Sequence, residues 1–304
     1  MNQPSVDPRN QNIQVMINGK LYPRSEAKVS VFDSVVQGGD AVWEGLRVYD
    51  QRIAALEAHI RRLRDSAHAL AFTEIPTYDA VVEDVFATLT ANGMEDGAHI
   101  RLTLTRGEKV TSGMNPRFNQ SGPTLIVLAE WKQPVYNETG IRLVTASIRR
   151  NTPQCLDSKI HHNNLLNNIL ASIEANVANV DSAVMLDVGG FIAETNDTNL
   201  FLIRDRVLHT PHATACLPGI TRGMIIELAK EHGIDCVERD ISLTELYTAD
   251  EAFTTGTMGE LTPVIEVDGR RIGEGVRGTM TERLQQIHRS HAWHTGTPIQ
   301  PVRK

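Results

Sequence analysis

The stretch VMINGKLYP, residues 15–23, sets apolar side chains at alternate positions on either side of Asn18-Gly19. Asn-Gly between alternating runs is a strong hairpin signal, because both loop positions need positive φ and these two residues tolerate it. The chain therefore opens as antiparallel β structure. AVWEGLRVYDQRI (41–53) repeats the theme with a strand, a turn at Asp50 to Arg52 and a return. HIRLTLTRG (99–107) alternates cleanly, and PTLIVLAEW (123–131) reads as a more fully buried strand. Two stretches carry helical spacing instead, at about 56–70 and 78–90. In the second, Val81, Val82, Val85, Phe86 and Leu89 face inward and Asn92-Gly93 ends the helix.

Residues 132–139 are polar, hold a proline and lead into Gly140, which reads as a linker. It separates a smaller N-terminal α/β domain (1–131) from a larger domain of mixed strands and helices (140–304). The larger domain starts with a strand, IRLVTASI (141–148). Short strands then run through 182–211, with Gly189-Gly190 as a turn. A helix at 217–233 follows Pro-Gly, a strand–loop–strand spans 251–264, and a last helix covers about 279–291. There is no regular βαβ alternation, so the fold class is α+β with two domains and not a doubly wound sheet.

With 304 residues, 41% hydrophobic and 22% charged, the chain can bury two cores. A net charge of -7 gives no basic surface for nucleic acid or anionic lipid, and no apolar run reaches membrane-spanning length. Cys155, Cys216 and Cys236 are scattered and odd in number, like reduced thiols. The polar MNQPSVDPRNQN start has no apolar signal region. These features together predict a cytoplasmic protein.

LDSKIHHNNLLNNIL (156–170) places one lysine, Lys159, just ahead of an amphipathic pattern. Leu165, Leu166, Ile169, Leu170 and Ile173 share one apolar helical face, expected to enter the core. A lysine before a helix is most often solvated; the sharper reading is a reactive amine at the mouth of a pocket. Three further features carry chemistry. Glu194 lies in GGFIAETNDTNLF, PGITRG (218–223) opens a helix, and TTGTMGE (254–260) is a loop holding Gly256 and Thr257. Helix N–H groups beside glycine and threonine suit a phosphate. Arg62, in HIRRLRDS, could add a bidentate guanidinium. A lysine, a phosphate anchor and a carboxylate for a pyridine nitrogen are what pyridoxal phosphate asks of a protein.

The order Lys159, GGFIAETNDTNLF, LPGITRG, TTGTMGELTPV resembles the class IV, fold-type IV, pyridoxal phosphate aminotransferases. The likeness begins at SVVQGGDAVWEGLRVYD (34–50), includes HIRRLRDSA (59–67) and ends near Val264; ETNDTNLF matches the family's signature throughout. The resemblance implies that Lys159 is the catalytic lysine that bonds the cofactor. It implies Glu194 as partner of the pyridine nitrogen, and Arg62, Ile220, Thr221 and Thr257 as phosphate contacts. Branched-chain amino acid aminotransferases are the most similar branch, through WEGLRVYD, TSGMNP (111–116) and GTMGELTPV. Trp43, Gly45, Arg47, Arg101, Met114 and Met258 would then line the substrate pocket. The resemblance further implies a homodimer or higher homo-oligomer and a ping-pong transfer of an amino group from a hydrophobic L-amino acid to 2-oxoglutarate, with no metal.

Some residues depart from that branch. Gly38, His99 and Asn164 stand where it commonly has tyrosines, and TRG (105–107) resembles the D-amino acid and amine branch. A D-amino acid aminotransferase, an (R)-selective amine transaminase or an aminodeoxychorismate lyase is the rival on the same fold. A non-catalytic binding protein is a more distant one, opposed by the presence of both Lys159 and Glu194. His161 and His162 lack acid or cysteine neighbours in the sequence and make a poor metal site. His209 and His212 read as surface, and His288, His291 and His294 as solvated residues where the last helix frays.

Overall fold

The structure is a computed structural model and describes residues 7–134, 136 and 139–300. The expected linker at 132–139 lies partly outside them, as do residues 1–6 of the polar start and 301–304 of the tail. The chain divides into two compact units. Within the described residues, one unit runs to Gln133 and takes in Ile160–Asn164 and the residues from Ala292 onward; the other is Pro134–Lys159 with Leu165–His291. The division read from sequence placed 160–164 and 292–300 in the second domain, and the structure assigns them to the first. Backbone pairing is the reason: Val42 bridges His162, and Thr297–Pro298 pair with a strand of the first unit.

The first unit is built on β1 (Gln14–Ile17), β2 (Lys20–Pro23), β3 (Ala41–Tyr49), β4 (Arg52–Ile53), β5 (Ala98–Thr105) and β6 (Thr124–Trp131). Its antiparallel order is Thr297–Pro298, β4, β3, β5, β6, β1, β2. Asn18 and Gly19 sit at φ 48° and 73°, and Ile17 pairs with Lys20, so the Asn-Gly turn forms where the alternation predicts. The helices are α1 (Ser34–Gly38), α2 (Leu56–Ala69) and α3 (Tyr78–Asn92). The Thr77 hydroxyl accepts from the Ala80 N–H to start α3, and Gly93, at φ 64°, ends it. Val42, Leu46 and Val48 of β3 pack with Leu56, Ile60 and Leu63 of α2 and with Val81, Val85 and Leu89 of α3. The period of two sends Trp43, Gly45 and Arg47 to the opposite face.

The second unit carries β7 (Ile141–Thr145), β8 (Ser182–Leu186), β9 (Ile192–Thr195), β10 (Asn199–Arg204), β11 (Val207–Thr210), β12 (Cys236–Glu238), β13 (Glu251–Gly256), β14 (Glu260–Val267) and β15 (Arg270–Arg271). They form one mixed sheet in the order β12-β11-β10-β13-β14-β7-β8-β9, with β15 beside β14. The β14–β7, β7–β8 and β11–β12 pairs are parallel, and the rest are antiparallel. Its helices are α4 (Leu166–Ala178), α5 (Ile220–Glu231), α6 (Leu243–Tyr247) and α7 (Thr279–Thr295).

Two expectations fail here. The apolar stripe of α4 does not enter the core: Leu166, Ile169, Leu170 and Ile173 are exposed, and Val177 with them. Ala171 and Ala175 are the buried residues, packed on Ala146, Ala183 and Met185. Small side chains let the helix lie close to the sheet, and that approach turns the leucines outward. In α7, which continues to Thr295, His288 is buried and not solvated; burial pushes its imidazole down to about 4. Among the described residues, no helix is long and apolar enough to cross a membrane, and no group of three or more His, Cys, Asp or Glu stands together as metal ligands.

Candidate active site

Lys159 and Glu194 both belong to the second unit. Lys159 lies on the turn before α4, its side chain 46% exposed; Nζ stands 3.4 Å from the Thr214 carbonyl and 3.7 Å from Asp157 Oδ1. Glu194 is buried on β9. Arg150 Nε donates to its Oε1 at 2.6 Å, and Asn199 Nδ2 donates to Oε2 at 3.2 Å. Burial raises the Glu194 carboxyl above its ordinary value, while Arg150 and the Leu217 N–H pull it back towards the charged form. Arg150 is fixed in turn, since its Nη1 donates to Asn167 Oδ1 on α4 at 3.1 Å. Cys216 marks where these groups converge. Burial and then Glu194 push its thiol up to about 12, and Arg222, Arg150 and Lys159 act in the opposite sense.

Asn199 links the carboxylate to the PGITRG helix start. Its Nδ2 also donates to the Leu217 carbonyl at 2.9 Å, and a Cβ on Gly219 would collide with its Oδ1. Only glycine fits there. Gly219 is the N-cap of α5 and offers no side-chain cap, so the first-turn N–H groups at Ile220 and Thr221 are available to an anion. The first amide turned back into the helix is that of Gly223, donating to the Gly219 carbonyl. Arg222 points elsewhere, donating to Pro211 O and Glu238 Oε2. The TTGTMGE loop joins β13 to β14 through the Gly256–Glu260 pair and carries Thr257 and Met258. On β13, the buried Thr254 and Thr255 hydroxyls have no hydrogen-bond partner among the described residues, and Thr255 pairs in register with Asn199. A buried carboxylate, a glycine cradle, first-turn helix amides and the orphaned Thr255 hydroxyl, on the same face of the sheet as Asn199, fit a ligand with a ring nitrogen and a phosphate.

The first unit holds a different group. Glu44 lies on the core-facing side of β3 with no exposed surface. Arg62 Nε and Nη2 each donate to it at 2.7 Å, and His59 Nδ1 and His161 Nδ1 lie 2.7 Å and 3.1 Å from its oxygens. Burial opposes the Glu44 charge, but His161, Arg62 and His59 outweigh it and hold the carboxyl well below the usual carboxylate range. The bidentate side of Arg62, expected on a phosphate, is turned to Glu44. His161 also accepts the Trp43 backbone N–H on its carbonyl and meets the Trp43 ring at a tilt, with centroids 4.2 Å apart. On the other face of β3, Gly45 pairs with Arg101 and Arg47 with His99. Arg101 packs on the Trp43 ring at 4.0 Å and donates to Asn163 Oδ1 at 3.2 Å. His99, pushed down to about 4 by burial and by Lys132, Arg101 and Arg47, is neutral at pH 7. This face is more cationic than an apolar wall. Met114 is 97% exposed on its loop.

Sequence reasoning missed Arg150, Asn199 and Glu44. Glu44 left a trace, a carboxylate at the same period as Val42, Leu46 and Val48. Asn199 stands inside the ETNDTNLF signature, but no role was assigned to it there; Arg150 left no trace, because Glu194 lies 44 residues away.

The chain matches the model of the amino-transferase class IV family over residues 41–267. It is 60% identical over 294 residues to branched-chain-amino-acid aminotransferase-like protein 2 of Arabidopsis thaliana, covering 96% of this chain and 52% of the relative. It thus spans about half the length of that protein and of a second Arabidopsis thaliana relative. A branched-chain-amino-acid aminotransferase of Pseudomonas aeruginosa is 38% identical over 90% of this chain and 91% of its own. The crystal structure of the Thermobaculum terrenum branched-chain amino acid aminotransferase in its PLP-form superposes with a TM-score of 0.85 at 27% identity, over 94% of this chain and 95% of that one. Motif order and fold agree with these likenesses, and the chain belongs to the class IV aminotransferase family.

Proposed function

We propose that this chain is a pyridoxal phosphate-dependent aminotransferase that moves the amino group of a branched-chain or other hydrophobic L-amino acid to 2-oxoglutarate by a ping-pong mechanism. The observation that carries the reading is the buried Glu194 carboxylate, held by Arg150 and Asn199 in the same unit as Lys159. A binding protein needs neither this carboxylate nor Lys159. When bound, pyridoxal phosphate supplies an electron sink for charge developing at the substrate α-carbon. Lys159 is the group that would bond the cofactor and then move a proton at that carbon; its amine is half-exposed, held only by the Thr214 carbonyl and Asp157 among the described residues. Glu194 keeps a proton on the pyridine nitrogen. The Ile220 and Thr221 amides and Thr257 would hold the phosphate; Arg62, bound bidentately by Glu44, is not part of this cradle. Met258 in the second unit, and Trp43, Gly45, Arg47 and Arg101 in the first, are the proposed substrate contacts.

The proposed assembly is a homodimer, supported by the exposed α4 stripe and by Val31, Phe32, Val36, Val110 and Met114 in the first unit. Met114 would then meet substrate in the partner's site. Three free cysteines suit a cytoplasmic setting.

If the pocket is of the branched-chain type, L-leucine, L-isoleucine and L-valine should exceed D-alanine and (R)-1-phenylethylamine in kcat/KM. Each buried methylene recovers about 0.8 kcal/mol, and an amine without a carboxylate forgoes a charge-assisted hydrogen bond to the arginines of this face. A panel against 2-oxoglutarate and pyruvate measures this. Preference for D-alanine or the (R)-amine would favour the rival reading. A second expectation concerns the glycine cradle. Gly219→Ala should cost about 1–3 kcal/mol through overpacking against Asn199, and should weaken cofactor uptake in a pyridoxal phosphate titration.

A further inference from the structure

We infer that Tyr136 is a positioning residue for the 256–260 loop, held in that role by the Asp197 carboxylate. The inference rests on the proposed function only for what the loop binds. The loop is braced at both glycines. A Cβ on Gly256 would lie 3.0 Å from Thr198 Cγ2, and a Cβ on Gly259 would lie 3.2 Å from the Tyr136 ring and 3.3 Å from Thr262 Oγ1. Thr262 Oγ1 donates to the Gly259 carbonyl at 2.8 Å. Thr257 and Met258, the residues proposed to meet phosphate and substrate, lie between these two braces.

The braces share one support. The Tyr136 hydroxyl donates to Asp197 Oδ2 at 2.5 Å. Asp197 Oδ1 accepts from Thr195 Oγ1 at 3.2 Å and Ser182 Oγ at 3.5 Å. Thr195 Oγ1 accepts from the Thr198 N–H at 2.9 Å, which closes the 195–198 turn. That turn follows directly on Glu194. One short segment thus carries the pyridine partner, the Thr198 brace and the anchor of the Tyr136 brace. Burial and the Asp197 charge both raise the Tyr136 phenol, so it stays a donor at all working pH values. Supporting residues of this kind hold a site loop within a fraction of an ångström of its working geometry.

The test uses Tyr136→Ala and Tyr136→Phe, the second keeping the ring and losing the hydroxyl. In the chain without cofactor, the 256–260 amides should exchange about tenfold faster in Tyr136→Ala, while β9 keeps its protection. With pyridoxal phosphate, the cofactor Kd and the amino acid KM should rise about five- to tenfold with kcat within about twofold, the signature of a misplaced binding loop. Tyr136→Phe should fall between the alanine variant and the parent. Exchange at 256–260 within twofold of the parent, or faster exchange across the whole second unit, overturns the inference. So does a fall in kcat with Kd and KM unchanged. A parent chain that takes up no pyridoxal phosphate overturns the proposed function instead, and the exchange arm still decides the role of Tyr136.

Discussion

Lys159→Ala should abolish transamination while leaving the fold intact. The side chain is 46% exposed, and its polar neighbours are the Thr214 carbonyl and Asp157. Truncation therefore opens no cavity and strands no buried group, and the melting temperature should stay within a degree or two of the parent. The chemistry is another matter. The variant has no amine to bond the cofactor and no group to move the proton, and the loss of a positioned proton donor alone is worth about 10²–10⁴-fold. Steady-state assay beside a thermal melt separates the two effects. Normal turnover in the variant would remove Lys159 from the mechanism.

Glu194→Gln should be slow for a different reason. The amide keeps the shape of the side chain but cannot hold a proton on a ring nitrogen, so the electron sink is weakened. The expected loss in kcat is more than tenfold, about 1.4 kcal/mol of barrier, with the amino acid KM little changed. Some stability should go with it: Arg150 is buried, and breaking a buried pair costs about 3–5 kcal/mol. Arg150→Met approaches the same pair from the other side. Burial already raises the Glu194 carboxyl, and Arg150 opposes that rise. Without the guanidinium the carboxyl rises further and is ionised only at higher pH. Activity that needs the ionised form should then be lost sooner as pH falls, so the acidic limb of the kcat profile moves upward. An unmoved limb would place the pyridine partner elsewhere.

The local signals were legible in the sequence because they are local. Asn18-Gly19 closes its hairpin, Asn92-Gly93 ends α3, and the 254–260 segment folds as strand, loop and strand. Periodicity shows that a face is apolar without showing what covers it. The α4 stripe carries a real helical pattern, yet Ala171 and Ala175 do the packing and the larger residues lie exposed. His288 failed in the opposite direction, because burial in α7 depends on elements far away in the chain. The site divides along the same line. The motif order brought Lys159, Glu194, Ile220, Thr221 and Thr257 forward, whereas the groups that fix them carried no assigned role, even Asn199 inside the ETNDTNLF signature. Asn199 acts on Glu194 across five residues and on Gly219 through space. Glu44 turns Arg62 towards itself, which no spacing reveals.

The most direct test of the central claim is to load the purified chain with pyridoxal phosphate, reduce it with borohydride and map the labelled peptide. The expected result is a single pyridoxyl group on Lys159, lost in Lys159→Ala and prevented when an L-amino acid substrate is added before reduction. Label spread over surface lysines such as Lys20 and Lys230, or unaffected by any amino donor, would contradict it.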